Sequence, residues 1–274
     1  MIVTSDSFAY AWFELLGKLC HDGQPVSPRD YETHELLGVQ VRINDMTRNI
    51  LVHPARAMSY RFLCAEWLWI AAGRNDVAGI TRYNKNIAQF SDDGIKFNGA
   101  YGPRMAPQMP WLLEQLKKPG SRQCVVSIWT PTPEPSRDIP CTLTWQLFVR
   151  DDKLHAIVNM RSSDVWLGLP YDVPNFSLLT NGVAGELGLV PGELVFNLGS
   201  SHLYDRDREK AGTVLAHPEL LGCVTSPRLP SQPPADDVLA WNESLAEPWA
   251  TYRDVLRATT QAEALMKLRT LEEK

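Results

Sequence analysis

Residues 141–172 constrain the fold of this 274-residue chain more than any other stretch. Cys141 opens an apolar run, the Asp151-Asp152-Lys153 turn reverses it, and a second run delivers Arg161, Ser162, Ser163 and Asp164 in a row. A Gly168-Leu169-Pro170 turn and a lone carboxylate, Asp172, follow. Two such runs across a tight turn predict two adjacent strands, so a sheet belongs at the centre of the fold. The same unit carries a nucleophile, an anion-binding cluster and one exacting polar group.

The flanking segments read as support for that unit. Phe8, Trp12, Leu15, Leu16 and Leu19 at helical spacing predict a helix over 5–20. Residues 21–34 form a polar loop that includes Arg29, and 36–50 alternate as a half-buried strand. A helix dense in aromatics is expected over 57–73, with Glu66 on an otherwise apolar segment, and a short one over 110–118 before Pro119-Gly120. Residues 123–129 are strand-like, and 130–140 read as a proline-rich loop. Further on, a helix over 173–188, a strand at 194–197, a Pro/Ser linker over 221–234 and a polar amphipathic helix over 250–274 are expected. Helices and strands mix without a regular βαβ period, which favours the α+β class. A catalytic domain over 1–220 is expected, with 221–274 as a linker and helical extension packed on it.

Composition bounds the partners. At 44% hydrophobic and 22% charged the chain has the material for a globular core. A net charge of −5 argues against a broad nucleic-acid footprint, while a small anion held by a few arginines remains allowed. The five cysteines are scattered, with no CxxC or Cys/His cluster, so neither a disulfide framework nor a metal site is expected. The start lacks the features of a signal peptide, and the apolar run near 63–72 is too short to span a bilayer. A cytoplasmic protein without a membrane partner is the expectation.

Taken singly, the candidate residues are ambiguous. A buried cysteine is usually a small hydrophobe, though arginines close to Cys141 in the chain would favour its thiolate. Asp172 has the place of a helix N-cap. Glu66 could be a buried carboxylate paired with an arginine, and His202 and Tyr204 polar groups of the core.

In combination, Pro140-Cys141, Gln146-Leu147-Phe148-Val149, the run from Arg161 through Asp164 and Gly168 to Pro170, and His202-Leu203-Tyr204 resemble the thymidylate synthase superfamily. The spacing between these blocks matches the family pattern. Glu66-Trp67-Leu68-Trp69, Asn98-Gly99-Ala100-Tyr101-Gly102 and Ser121-Arg122 extend the resemblance over roughly residues 5–215. The resemblance implies a mixed sheet flanked by helices that dimerises through the sheet.

The resemblance also implies a mechanism and roles. Cys141 would add to C6 of a pyrimidine nucleotide, and C5 would take a one-carbon unit from 5,10-methylenetetrahydrofolate, with no metal. Arg161 and Ser162 would hold the phosphate, helped by Arg29 and by Arg122 reaching across a homodimer, although Gln123 stands where the family has a second arginine. His202 and Tyr204 would bind the sugar 3′-hydroxyl. Glu66 would order and activate water. Asp164, Leu167, Gly168, Ile87 and Tyr101 match positions near the folate or the nucleophile, and Thr142 replaces a histidine.

Two departures bear on the member. Asp172 stands where the synthases carry asparagine, as it does in the deoxycytidylate hydroxymethylases, and an ionised carboxylate that only accepts hydrogen bonds suits the cytosine amino group. Ile87 and Phe90 stand where synthases have tryptophans, which would admit water. The expectation is a dCMP (or CMP) 5-hydroxymethyltransferase. A dCMP methyltransferase, a dUMP-directed relative and a non-catalytic nucleotide- or RNA-binding relative are the alternatives.

Overall fold

A computed structural model describes residues 1–28, 31–131 and 135–272. Its centre is a seven-stranded mixed sheet. In spatial order it runs β1 (Ile2–Ser5), β3 (Thr33–Ile43), β8 (Val190–Tyr204), β7 (Lys153–Asp164), β6 (Thr142–Arg150) and β5 (Val125–Ser127), with β2 (Gln24–Val26) also paired to β3. The β1–β3 and β7–β8 pairs are parallel, and the others are antiparallel. The α+β expectation is therefore met.

The β6–β7 hairpin follows directly from its turn. Asp151 and Asp152 both take positive φ, at 49° and 57°, and Arg150 pairs with Lys153. Two left-handed residues match the twist of the flanking strands, and aspartate tolerates that conformation better than most side chains. Alternation then sends Trp145, Leu147, Ala156, Val158 and Met160 to one face, where all are buried with Val39, Val41, Leu194 and Phe196. On the other face a row of side chains crosses four strands: Gln40 donates to Asn197, Asn197 to Asn159, and Asn159 to Thr144, at 2.8–2.9 Å.

Helices cover the apolar face. In α1 (Phe8–Asp22) the five apolar positions read from the sequence are fully buried. At the end of β7, the Asp164 carboxylate accepts the N–H groups of Trp166 and Leu167, each at 2.8 Å. This turn directs the chain into α6 (Leu169–Glu186), which starts four residues earlier than 173 because Pro170 fits a first helical turn. From Val173 to Ala184 every α6 residue is buried, as expected of a helix enclosed on all sides. Outside it lies α2 (Tyr60–Ala71), whose N-cap Ser59 accepts from the Phe62 N–H. Smaller helices α3 (Val77–Thr81), α4 (Gly102–Met105) and α5 (Met109–Leu116) follow, and α7 (Arg208–Ala216) lies after β8.

The C-terminal part differs from its sequence reading. Within the expected linker, β9 (Gly222–Val224) pairs antiparallel with β4 (Ile50–Val52), and Leu229 is buried. The expected single helix is two, α9 (Trp249–Arg257) and α10 (Gln261–Arg269), after a short α8 (Ala235–Leu239). They separate at Thr260, which caps α10 by accepting from the Glu263 N–H. Nor is α9 merely superficial: Tyr252, Val255 and Leu256 are buried, and Tyr252 meets Trp67 of α2 edge-on at 4.9 Å. The strand expected at 194–197 runs instead from Val190 to Tyr204, because its polar Ser200-Ser201-His202 end still pairs with β3 and β7.

Candidate active site

A cavity of about 260 Å³ opens between α2, α6 and the segments preceding α4 and β6. Cys141 lines it, together with Glu66 of α2, Asp172 and Asn175 of α6, and Tyr101. Its remaining wall is mostly apolar, with Ile80, Ile87, Phe90, Phe97 and Ile139 around the Asp138 carboxylate.

The nucleophile candidate is held by its neighbour in the sheet. The Arg161 amide donates to the Cys141 carbonyl at 2.9 Å, and its guanidinium donates to the carbonyls of Pro140 and Ile139, each at 2.9 Å. Arginine has five N–H donors in a rigid fork, so two bonds to the loop leave others for an anion. Arg161 thereby clamps the loop that presents Cys141.

Burial sets the protonation of the acids. It pushes Glu66 up to about 7, against the opposing effect of the Asn175 amide, which donates to Glu66 Oε2 at 2.8 Å. Asp172 is raised well above the usual carboxylate range, first by burial and then by the negative charges of Glu66 and Asp164. Both acids are thus pushed toward their neutral forms. Burial, with Asp172 and Cys141 nearby, also keeps the Tyr101 phenol protonated, with its pKa well above the usual value. Asp138 is raised by burial, with its Oδ2 accepting the Gly99 N–H at 2.7 Å.

A second group lies at the ends of β7 and β8, outside the cavity lining. Ser162 Oγ is 3.4 Å from His202 Nδ1, and the His202 and Tyr204 rings meet edge-on at 5.3 Å. Asp164 pairs in register with His202, and burial raises its carboxyl despite the N–H groups of Leu167 and Trp166. Leu167 is exposed and Gly168 caps α6, both in the turn that leads to Asp172. Arg122 is exposed ahead of β5 and does not line the cavity. Arg29 lies outside the described residues.

The thymidylate synthase family model matches residues 10–227, most of the chain and both groups of residues. The chain belongs to the thymidylate synthase family. It is also 30% identical over 214 residues to a deoxyuridylate hydroxymethyltransferase of Bacillus phage SP01. That match covers 70% of this chain and 56% of the relative, so the chain spans a little over half of the relative's length.

Two polar residues of the cavity, Asn175 and Asp138, carry no motif in the sequence. Asn175 follows Asp172 by one helical turn, a spacing that puts both on one face. Asp138 stands three residues before Cys141 in a loop whose prolines gave no pattern to read. Asp172 differs from the ionised, accept-only carboxylate expected from the sequence, because burial favours its neutral form, which donates as well as accepts.

Proposed function

We propose that this chain is a one-carbon transferase that hydroxymethylates C5 of a cytosine nucleoside monophosphate. The observation that carries the reading is the cavity shared by Cys141, Glu66 and Asp172, where burial favours the neutral form of the Asp172 carboxyl.

The cavity is somewhat smaller than the roughly 300–1,000 Å³ typical of whole-ligand pockets. It suits the reacting rings, with the nucleotide phosphate and sugar extending toward Arg161, Ser162, His202 and Tyr204. A neutral Asp172 can donate to N3 of cytosine and accept from its amino group. A neutral acid can also satisfy uracil, with its two oxygens exchanging roles, so hydrogen-bond pattern alone does not select the base. Proton transfer does. Unlike an amide, Asp172 can hand its proton to N3, which makes C6 a better electrophile for the Cys141 thiolate and neutralises charge as the adduct forms. Uracil already carries the N3 proton and gains less.

Thymidylate synthase family members use methylenetetrahydrofolate as co-substrate. The residues here fit such a partner: the apolar wall of Ile87, Phe90 and Ile139 suits a flat ring, and the Asp138 carboxylate suits its N–H donors. Ile87, Tyr101, Asp164, Leu167 and Gly168 would help hold it, and when bound it supplies a one-carbon unit at the oxidation level of formaldehyde. With aliphatic Ile87 rather than an indole beside the reaction centre, water has access to the methylene carried on C5. Glu66, titrating near neutrality, is suited to take the proton of that water. Covalent attachment through Cys141 divides one difficult substitution into easier steps.

A uridylate substrate is the second reading, favoured by the name of the phage SP01 relative. Turnover of dCMP, CMP and dUMP in parallel, with products identified by mass, separates the two. A hydroxymethyl product from dUMP alone would remove the cytosine assignment.

A further inference from the structure

Asn175 is buried, at 2% exposure, on the wall of the cavity. Its amide nitrogen is committed to Glu66 Oε2. Its Oδ1 is also buried and accepts no hydrogen bond from any described residue. Buried acceptors of this kind are nearly always satisfied by a ligand or an ordered water, and an unsatisfied one is costly. A water at this point would have Glu66 as its second acceptor, because one bond to Asn175 leaves the carboxylate with further lone pairs.

We propose that Asn175 is the positioning residue for the attacking water. Its Oδ1 accepts one water hydrogen, and Glu66, oriented by its Nδ2, accepts the other. This rests on the hydroxymethyl reading above. The water oxygen then bonds the methylene carbon on C5, and its proton passes to Glu66. The methylene π electrons move onto the C4 side of the ring. Their return as the C5=C6 double bond expels the Cys141 thiolate, so no oxidant or reductant is consumed. Both side chains stand on packed helices, which suits a role that depends on fixed orientation.

Asn175→Leu, similar in size and unable to hydrogen-bond, provides the test. Glu66 shares the cavity with Asp172 on α6, Tyr101 ahead of α4, and Asp138 and Cys141 ahead of β6, and the substitution leaves all of these in place. Three readouts are compared with wild type: nucleotide affinity by calorimetry, the hydroxymethyl product rate across pH, and the Glu66 titration in the free enzyme by carbon NMR. The expected result is unchanged nucleotide affinity, a product rate lower by on the order of 100-fold, and a Glu66 titration and acid limb displaced upward by about one unit. The upward sign follows from losing a donor that favours the ionised carboxylate. Asn175→Ser, which keeps a small polar group, covers the case in which the leucine variant does not fold and is expected to retain more of the rate. Wild-type rate and limb in a folded variant would overturn the role of Asn175. A methyl product from the wild-type enzyme would instead remove the reading beneath it.

Discussion

At the level of single residues, the site is a problem in placing one proton between two acids. Burial raises both carboxyls, Glu66 up to about 7 and Asp172 well above the usual carboxylate range; in the proposed reaction Asp172 supplies a proton and Glu66 removes one. Asp172→Asn keeps a donor and an acceptor but cannot release a proton. It is expected to bind dCMP within a few-fold of wild type while kcat falls by about 100- to 10,000-fold, as steady-state kinetics will show. Loss of binding with kcat intact would point to edge recognition instead. Glu66 also carries a stability consequence. Its folded value of about 7 exceeds the ordinary 4.5, so the folded state binds the proton more tightly and stability falls as pH rises between those values. The loss is up to about 3 kcal/mol. Glu66→Gln is therefore expected to melt higher than wild type at pH 8, to match it near pH 4.5, and to lose the acid limb of the rate profile along with most of the activity. Cys141, Arg161 and Asp172 were legible in the sequence because they sit in motifs. The rise of the Asp172 carboxyl above the usual range was not, since it depends on desolvation and on Glu66, which the packing of α2 on α6 brings near.

At the level of elements, α2 is set by what packs on it from the far end of the chain. Gln261 accepts from the Tyr60 N–H at 2.8 Å, the Arg61 guanidinium donates to the Leu256 carbonyl at 3.1 Å, and Tyr252 packs on Trp67. The helix that carries Glu66 is thus braced by α9 and α10. Tyr252→Ala is expected to cost about 3–5 kcal/mol in denaturant unfolding and to lower the product rate through Glu66, whereas a superficial α9 would lose little of either. Helix α1, the β6–β7 hairpin and α2 were readable because their periodicity and caps are local. The pairing of β9 with β4 was not, because each strand has three residues and its partner is remote in sequence. The polar end of β8 was hidden for a related reason: Gly199-Ser200-Ser201 has loop composition, and only its neighbours in the sheet make it a strand.

At the level of the whole molecule, the sheet face opposite the helices and the exposed Arg122 bear on assembly. The side chains from Gln40 to Thr144 are half-buried and hydrogen-bond to one another across four strands. We propose a homodimer through this face, with Arg122 completing the phosphate site of the partner. Chains carrying Arg122→Ala and chains carrying Cys141→Ser should each be inactive or weak, and mixing them under exchanging conditions should restore activity in the heterodimer. If Arg122 serves its own subunit's site, mixing restores nothing. The α+β class and the order of the site residues along the chain could be read in advance. Assembly depends on complementarity between surfaces, which a single sequence does not encode in any local pattern.

The central claim is that Cys141, Asp172 and Glu66 direct one carbon and one water to C5 of a cytosine nucleotide. The most direct test is mass spectrometry of the product formed from dCMP and methylenetetrahydrofolate, with Cys141→Ser as the control. The account predicts dCMP enlarged by one CH₂O group, formed by the wild-type enzyme and absent with the control. Product from dUMP only, or dCMP enlarged by a CH₂ group, would contradict it.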